Sequence, residues 1–257
     1  TPTLYLLEGV KSLVDYSDSM APPPISIPLI FAGSLEIAVP LLLGYLAMRR
    51  LNVGLMPYVV GCALFTLSLI RMPINSAFQR LVYPLPHGFQ LSALFMSMTA
   101  ALFEEGVRLI AFLWLLDERS WSVAVVYGLG HGGMESILLA GVNSLIIGFL
   151  LILSPSRIPF TALMMEELPA YLPLLALYER MMAIAIHLLL TLLVLRFIVE
   201  RKPLYLAAAL LIHFAVDLAA LLLSRYGVHI VEAVITPIAA LSLLYLYQTR
   251  PEAVSHA

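Results

Sequence analysis

Residues 90–116 read QLSALFMSMTAALFEEGVRLIAFLWLL, and this stretch decides the fold. It is long enough to cross a bilayer, for which about 20 predominantly apolar residues suffice. It nevertheless contains Leu102-Phe-Glu-Glu-Gly-Val-Arg108, with three ionisable residues inside an apolar run. On a helix Glu104 and Arg108 share one face, while Glu105 points about 100° away. Each charge near the centre of a spanning helix costs roughly 2.5–3.5 kcal/mol on insertion scales, less any relief from pairing. A Glu104–Arg108 ion pair accounts for part of that cost and leaves Glu105 unexplained. An ionisable cluster inside a membrane marks a functional site by default.

Working outward, the chain of 257 residues is 61% hydrophobic and 12% charged, with a mean hydropathy of +0.98. A soluble domain carries roughly 25% charge, so the composition predicts an all-α polytopic membrane protein in contact with the lipid bilayer. We expect one integral membrane domain over 1–257, with its site helices at about 90–153 and 179–224. The net charge of −2 and the lack of a basic run exclude a nucleic-acid partner. Cys62 is the single cysteine and forms no intrachain disulfide. No charged n-region with an h-region and cleavage site opens the sequence, so the first span is expected to act as an uncleaved anchor.

About seven transmembrane helices follow from the hydropathy pattern. They are 28–48, 53–70, 90–116, 121–153, 179–199, 203–224 and 228–247. A short interfacial helix is predicted over 1–20, where apolar residues are spaced for one helix face. Residues 74–88 read as a connector, and 154–178, with four prolines, as a loop holding a short helix at 162–168. The fourth span would be about 50 Å long against a core of about 30 Å, so it must tilt, protrude or break near Gly141-Val-Asn143. Arginine and lysine placement in the loops gives an N-out, C-in topology.

Polar residues recur in three further spans: His131 and Glu135 in Gly130-His-Gly-Gly-Met-Glu-Ser136, His187 after Glu179-Arg180, and His213 with Asp217. Measured from the expected cytoplasmic helix ends, Glu104 and His187 lie about 18 Å in, and His131 and His213 about 15 Å. Glu135 and Asp217 sit roughly one turn deeper, and Arg108 one turn shallower. Four antiparallel helices thus bring their polar residues to one midplane layer. Gly128 and Gly132 have the small-xxx-small spacing that lets a neighbour approach His131 closely.

Such a layer suits the activation of water. A carboxylate serves as general base while imidazole orients the water or stabilises an oxyanion. Alternatively His131, His187 and His213 hold a zinc ion, which lowers the pKa of bound water. Neither scheme uses a Ser or Cys nucleophile. Zinc would require each imidazole neutral with its second nitrogen oriented by a partner. Asp217, four residues along the same helix, points alongside His213 and is poorly placed for that. The sequence also lacks the His-Glu-x-x-His spacing of helical zinc proteases. We therefore expect no metal cofactor, with zinc as the alternative.

Glu104-Glu105-x-x-Arg108, Gly130-His-Gly-Gly-x-Glu135, Glu179-Arg180 with His187, and His213-x-x-x-Asp217 together resemble the YhfC-type membrane peptidases. That family is grouped with the glutamic-type intramembrane proteases, beside the CAAX-processing enzymes and PrsW. The resemblance extends to Ser68-Leu-Ile-Arg-Met-Pro73 and covers nearly the whole chain. It implies an intramembrane endopeptidase of a prokaryotic plasma membrane, cleaving a membrane protein or membrane-anchored peptide. Glu104 is then the general base, Glu105 and Arg108 support it, and His131 orients the water. His187 and Glu135 complete the set. His213 and Asp217 correspond to a motif that CAAX enzymes end in Asn. An ionised Asp would repel an oxyanion, so Asp217 either orients His213 or stays protonated. Two readings of other classes compete: a catalytically silent scaffold like the seven-helix subunit of γ-secretase, and a transporter with a protonatable midplane site. The combined Glu104, His131 and His213 argue against the first, and the lack of internal repeats against the second.

Overall fold

The computed structural model describes residues 22–153, 165 and 167–251. Among these residues the regular structure is entirely helical. We number the described helices α1 Ser26–Leu51, α2 Met56–Ser68, α3 Arg71–Val82, α4 Gly88–Ile110, α5 Trp121–Leu153, α6 Leu172–Glu200, α7 Pro203–Leu223 and α8 Val228–Gln248. Six segments are long and apolar enough to span a membrane: α1, α2 with α3, α5, α6, α7 and α8. The seventh expected span is α4, continued by π-helical Ala111–Leu115 and carrying buried Glu104, Glu105 and Arg108. The expected interfacial helix at 1–20 and most of the 162–168 helix lie outside the described residues.

Two boundaries differ from the hydropathy reading. The connector expected at 74–88 is helical as far as Val82. Pro73 supplies no N–H, so α2 ends in tight turns, with the Met72 amide donating to the Leu69 carbonyl at 2.8 Å. Pro73 then sits in the first turn of α3, where an amide would have no intrahelical partner. α6 starts at Leu172, with Pro173 at a tolerated N-terminal position, so the proline-rich loop ends earlier than expected. The long α5 accommodates its length through π-helical Ser136–Gly141, between α-helical Trp121–Glu135 and Val142–Leu153.

The chain divides into two compact units, Thr1–Val39 with Ile137–Arg180, and Pro40–Ser136 with Met181–Ala257. In the first, Ile25, Leu29 and Leu151 form a small core. Glu36 is fully buried there and accepts a hydrogen bond from Ser144 Oγ at 3.3 Å.

The second unit holds the main core, including Phe112, Tyr127, Leu190, Val194 and Ala239. Here α2 and α5 cross backbone to backbone. A Cβ on Gly130 would lie 2.2 Å from the Tyr58 carbonyl oxygen, and one on Gly61 2.4 Å from that of Tyr127. Only glycine permits this approach, and it brings the end of α2 beside the helix that carries His131. α3 packs on α4 through Phe78 stacked on Phe95, with centroids 3.9 Å apart, and through Thr99 Oγ1 donating to Asn75 Oδ1 at 2.7 Å.

Candidate active site

The site lies wholly within the second unit, where α4, α5, α6 and α7 converge with the α2–α3 break. Glu104 is its hub. One carboxylate oxygen, Oε1, pairs with Arg71 Nη2 at 2.8 Å. The other, Oε2, lies 3.2 Å from His131 Nε2, 3.9 Å from His213 Nε2 and 4.0 Å from Arg108 Nη2. Glu104, Glu105, Arg108 and His131 are each at most 2% exposed.

Arg108 pairs chiefly with Glu105 rather than Glu104, which corrects the ion pair expected from the helical wheel. A three-residue spacing also shares a helix face, so Glu105 turns toward the arginine instead of away from the site. Its Oε1 accepts from Arg108 Nη1 and from His213 Nδ1, the latter at 2.7 Å. Glu105 Oε2 and Arg108 Nε are buried without hydrogen-bond partners. Arg108 Nη2 also bonds His187 Nδ1. An arginine only donates, so Nδ1 of His187 accepts, and its Nε2–H faces Glu135 Oε2.

The three imidazoles form a continuous row. Ring centroids are 5.5 Å apart for His131 and His187, and 5.7 Å for His187 and His213. Gly132 makes this possible, since a Cβ there would meet the Cβ and ring of His187 at 3.0 Å. Asp217 Oδ2 lies 3.6 Å from His213 Nε2, so the same-helix spacing does bring the pair together, contrary to the expectation that it merely runs alongside.

All eight residues singled out in the sequence therefore meet in one cluster. Reading the sequence missed two further members. Arg71 entered the sequence reading only within the resembling stretch Ser68-Leu-Ile-Arg-Met-Pro73, with no role given to it, although its position two residues before Pro73 at a helix break was the available signal. Tyr127, four residues before His131 on α5, places its hydroxyl 3.4 Å from His131 Nδ1. Cys62 stays apart, its Sγ against the Gly130 carbonyl at 3.3 Å.

The donor set differs from the three histidines expected for zinc. Glu104, His131 and His187 each offer a ligand atom, all within 4.8 Å of one another, and all three residues are buried. His213 is turned toward Glu105 instead. Two imidazoles and a carboxylate are a donor set used by catalytic zinc. Charge points the same way. The cluster joins four carboxylates, Glu104, Glu105, Glu135 and Asp217, to two guanidiniums, those of Arg71 and Arg108. With neutral imidazoles a divalent cation would balance that excess, and uncompensated charge is costly in a low-dielectric site.

Fold and cluster define a polytopic all-α membrane protein with a buried Glu–His–Arg site. A protein-family model described as YhfC intramembrane metalloprotease matches residues 37–238, and the chain belongs to that family. The uncharacterised membrane protein YhfC of Bacillus subtilis (strain 168) is 29% identical over 171 residues, covering 60% of this chain and 66% of that relative. No solved structure matches. The family's description as a metalloprotease leaves the expectation of no cofactor without support.

Proposed function

We propose that the protein is a metal-dependent intramembrane protease that hydrolyses a peptide bond of a membrane protein or membrane-anchored peptide. The observation that carries this reading is Glu104 Oε2, which faces His131 Nε2 at 3.2 Å and His213 Nε2 at 3.9 Å inside a buried site. Glu104, His131 and His187 would hold the ion, with His187 freeing a lone pair by giving up either its bond to Arg108 or its Nε2 proton to Glu135. A zinc-class ion would supply Lewis acidity there.

The chain's own residues supply orientation and proton transfer. Arg71 fixes Oε1 of Glu104, which leaves Oε2 directed at the imidazoles. Arg108 holds Glu105, and Glu105 accepts the Nδ1–H of His213. That bond leaves the lone pair of His213 on Nε2, toward Glu104, where it can accept a proton from water and later return it to the leaving amine. Should Glu104 not ligate an ion, the same geometry makes its Oε2 the base, the role implied by the glutamic-type resemblance. Tyr127 at His131 Nδ1 sets the ring orientation in either case.

The test is cleavage of a single-span substrate by the purified, reconstituted protein, with bound metal quantified in the same preparation. Wild type should cleave and carry a stoichiometric divalent ion, and Glu104→Gln should do neither. Cleavage that persists in Glu104→Gln would overturn the assignment.

A further inference from the structure

A cavity of about 390 Å³ with a charged lining opens beside the N-terminus of α5 and the C-terminal ends of α6 and α8. It belongs to the same unit as the active site but lies away from it. Its Arg196 follows His187 on α6 by nine residues, or roughly 14 Å along the helix axis. The lining includes Arg119, Trp121, Arg196, Glu200, Tyr245 and Gln248. We propose that this cavity binds the phosphate group of an anionic phospholipid headgroup.

Its walls are prearranged for an anion at an interface. Arg196 is held in place: Nε donates to Glu200 Oε1 at 2.8 Å, and Nη1 donates to the Tyr245 hydroxyl at 2.7 Å. Its guanidinium lies 5.0 Å from the centroid of Tyr205 and 5.9 Å from that of Tyr245. Arg119 is fixed by donating from Nε to the Phe112 carbonyl at 3.0 Å and from Nη2 to that of Leu113 at 3.5 Å, capping the end of the α4 extension. These contacts leave Nη2 of Arg196 and Nη1 of Arg119 without hydrogen bonds among the described residues. Two arginines against one glutamate make the wall cationic. Trp121, the first residue of α5, is pinned by its indole N–H to Thr249 Oγ1 at 3.3 Å, and adds the positive end of a long helix.

The location selects the source of the phosphate. The cavity's polar residues all lie in the last turns of α6 and α8, at the start of α5 or in the turn before it, the level at which headgroups lie. Trp and Tyr with an apolar body and polar tip mark that level. Basic pockets between spanning helices recognise anionic headgroups, and each arginine near an anionic surface contributes about 1 kcal/mol. Leu192, Leu195 and Val199 continue the wall along α6 and give the attached acyl chains an apolar surface.

The experiment titrates the full-length protein in neutral detergent with dihexanoyl phosphatidylglycerol, dihexanoyl phosphatidylcholine or inorganic phosphate, reading the thermal midpoint and native mass spectra. Phosphatidylglycerol should raise the midpoint and give a one-to-one adduct, while phosphatidylcholine and free phosphate should do neither. Arg119→Gln should weaken the effect roughly fivefold, as expected for one interfacial arginine. Gln248→Glu, which places a negative charge in the cavity and removes no recorded bond, should abolish it. Equal shifts with phosphatidylcholine, an undiminished shift in Gln248→Glu, or stabilisation by phosphate alone equal to that by the lipid would each overturn the proposal. Protease activity is not the readout, so the result stands apart from the active-site assignment.

Discussion

Arg71, at the break between α2 and α3, meets Glu104 of α4 at 2.8 Å, and both side chains are buried. The pair ties the C-terminal half of α4 to a neighbour whose course is set by Pro73. Removing one partner of a buried pair typically costs about 3–5 kcal/mol, because the other charge is left uncompensated. Arg71→Met should therefore lower the unfolding midpoint in detergent sharply. The double variant Arg71→Met/Glu104→Gln should recover much of the loss, since no lone charge remains. Equal instability in the single and double variants would show that the pair is not the stabilising unit.

The two adjacent glutamates should separate by experiment. Glu104→Gln is expected to lose bound metal and cleavage and to lower the unfolding midpoint, because Arg71 loses its buried partner. By contrast, Glu105→Gln leaves the three donors in place and should retain the metal. Glu105→Gln should lower both cleavage and thermal stability, because Glu105 is the partner of Arg108 and of His213 Nδ1. Kinetic assays paired with melting curves distinguish loss of chemistry from loss of structure.

Metal analysis should divide the histidines. His131→Ala and His187→Ala remove donors of the buried cluster and are expected to lose bound metal together with activity. His213→Ala, which leaves all three donors in place, should retain the metal and still lose most activity. A chelator-treated wild type should regain cleavage when zinc is returned. Metal loss in His213→Ala with normal binding in His187→Ala would reverse the ligand assignment.

Helix contact predicts a sharp contrast between two glycine-to-alanine changes. A Cβ at Gly130 would overlap the Tyr58 carbonyl at 2.2 Å, which is backbone and cannot rotate away. Gly130→Ala should destabilise by about 1–3 kcal/mol, the usual range for overpacking. Gly106→Ala, two residues before Arg108, meets nothing within 4 Å and should be tolerated. Similar melting shifts in the two variants would contradict the close crossing of α2 and α5.

The order of spanning helices was legible in the sequence because hydropathy is a local sum over about 20 residues. The polar layer was legible too, since a helix's fixed rise converts residue number into depth. Glu104, His131, His187 and His213 could therefore be placed at one level before any packing was known. Helix termini were less legible where proline serves two purposes. Pro73 and Pro173 both sit just inside a helix start, a position that hydropathy reads as loop.

Pairing within the layer belongs to tertiary structure. The helical wheel assigns Arg108 to Glu104, but a wheel cannot register Arg71 arriving from another helix and claiming one oxygen of that carboxylate. With Glu104 so occupied, Arg108 turns to Glu105 and His187, and Glu105 takes the Nδ1 of His213. Sequence by itself determined which ionisable groups enter the membrane and at what depth, because both follow from local composition and helical rise. Which carboxylate meets which cation, and hence which three donors converge, was decided only when glycine-lined helices closed together, because pair energies depend on separations of a few ångströms between residues far apart in the chain.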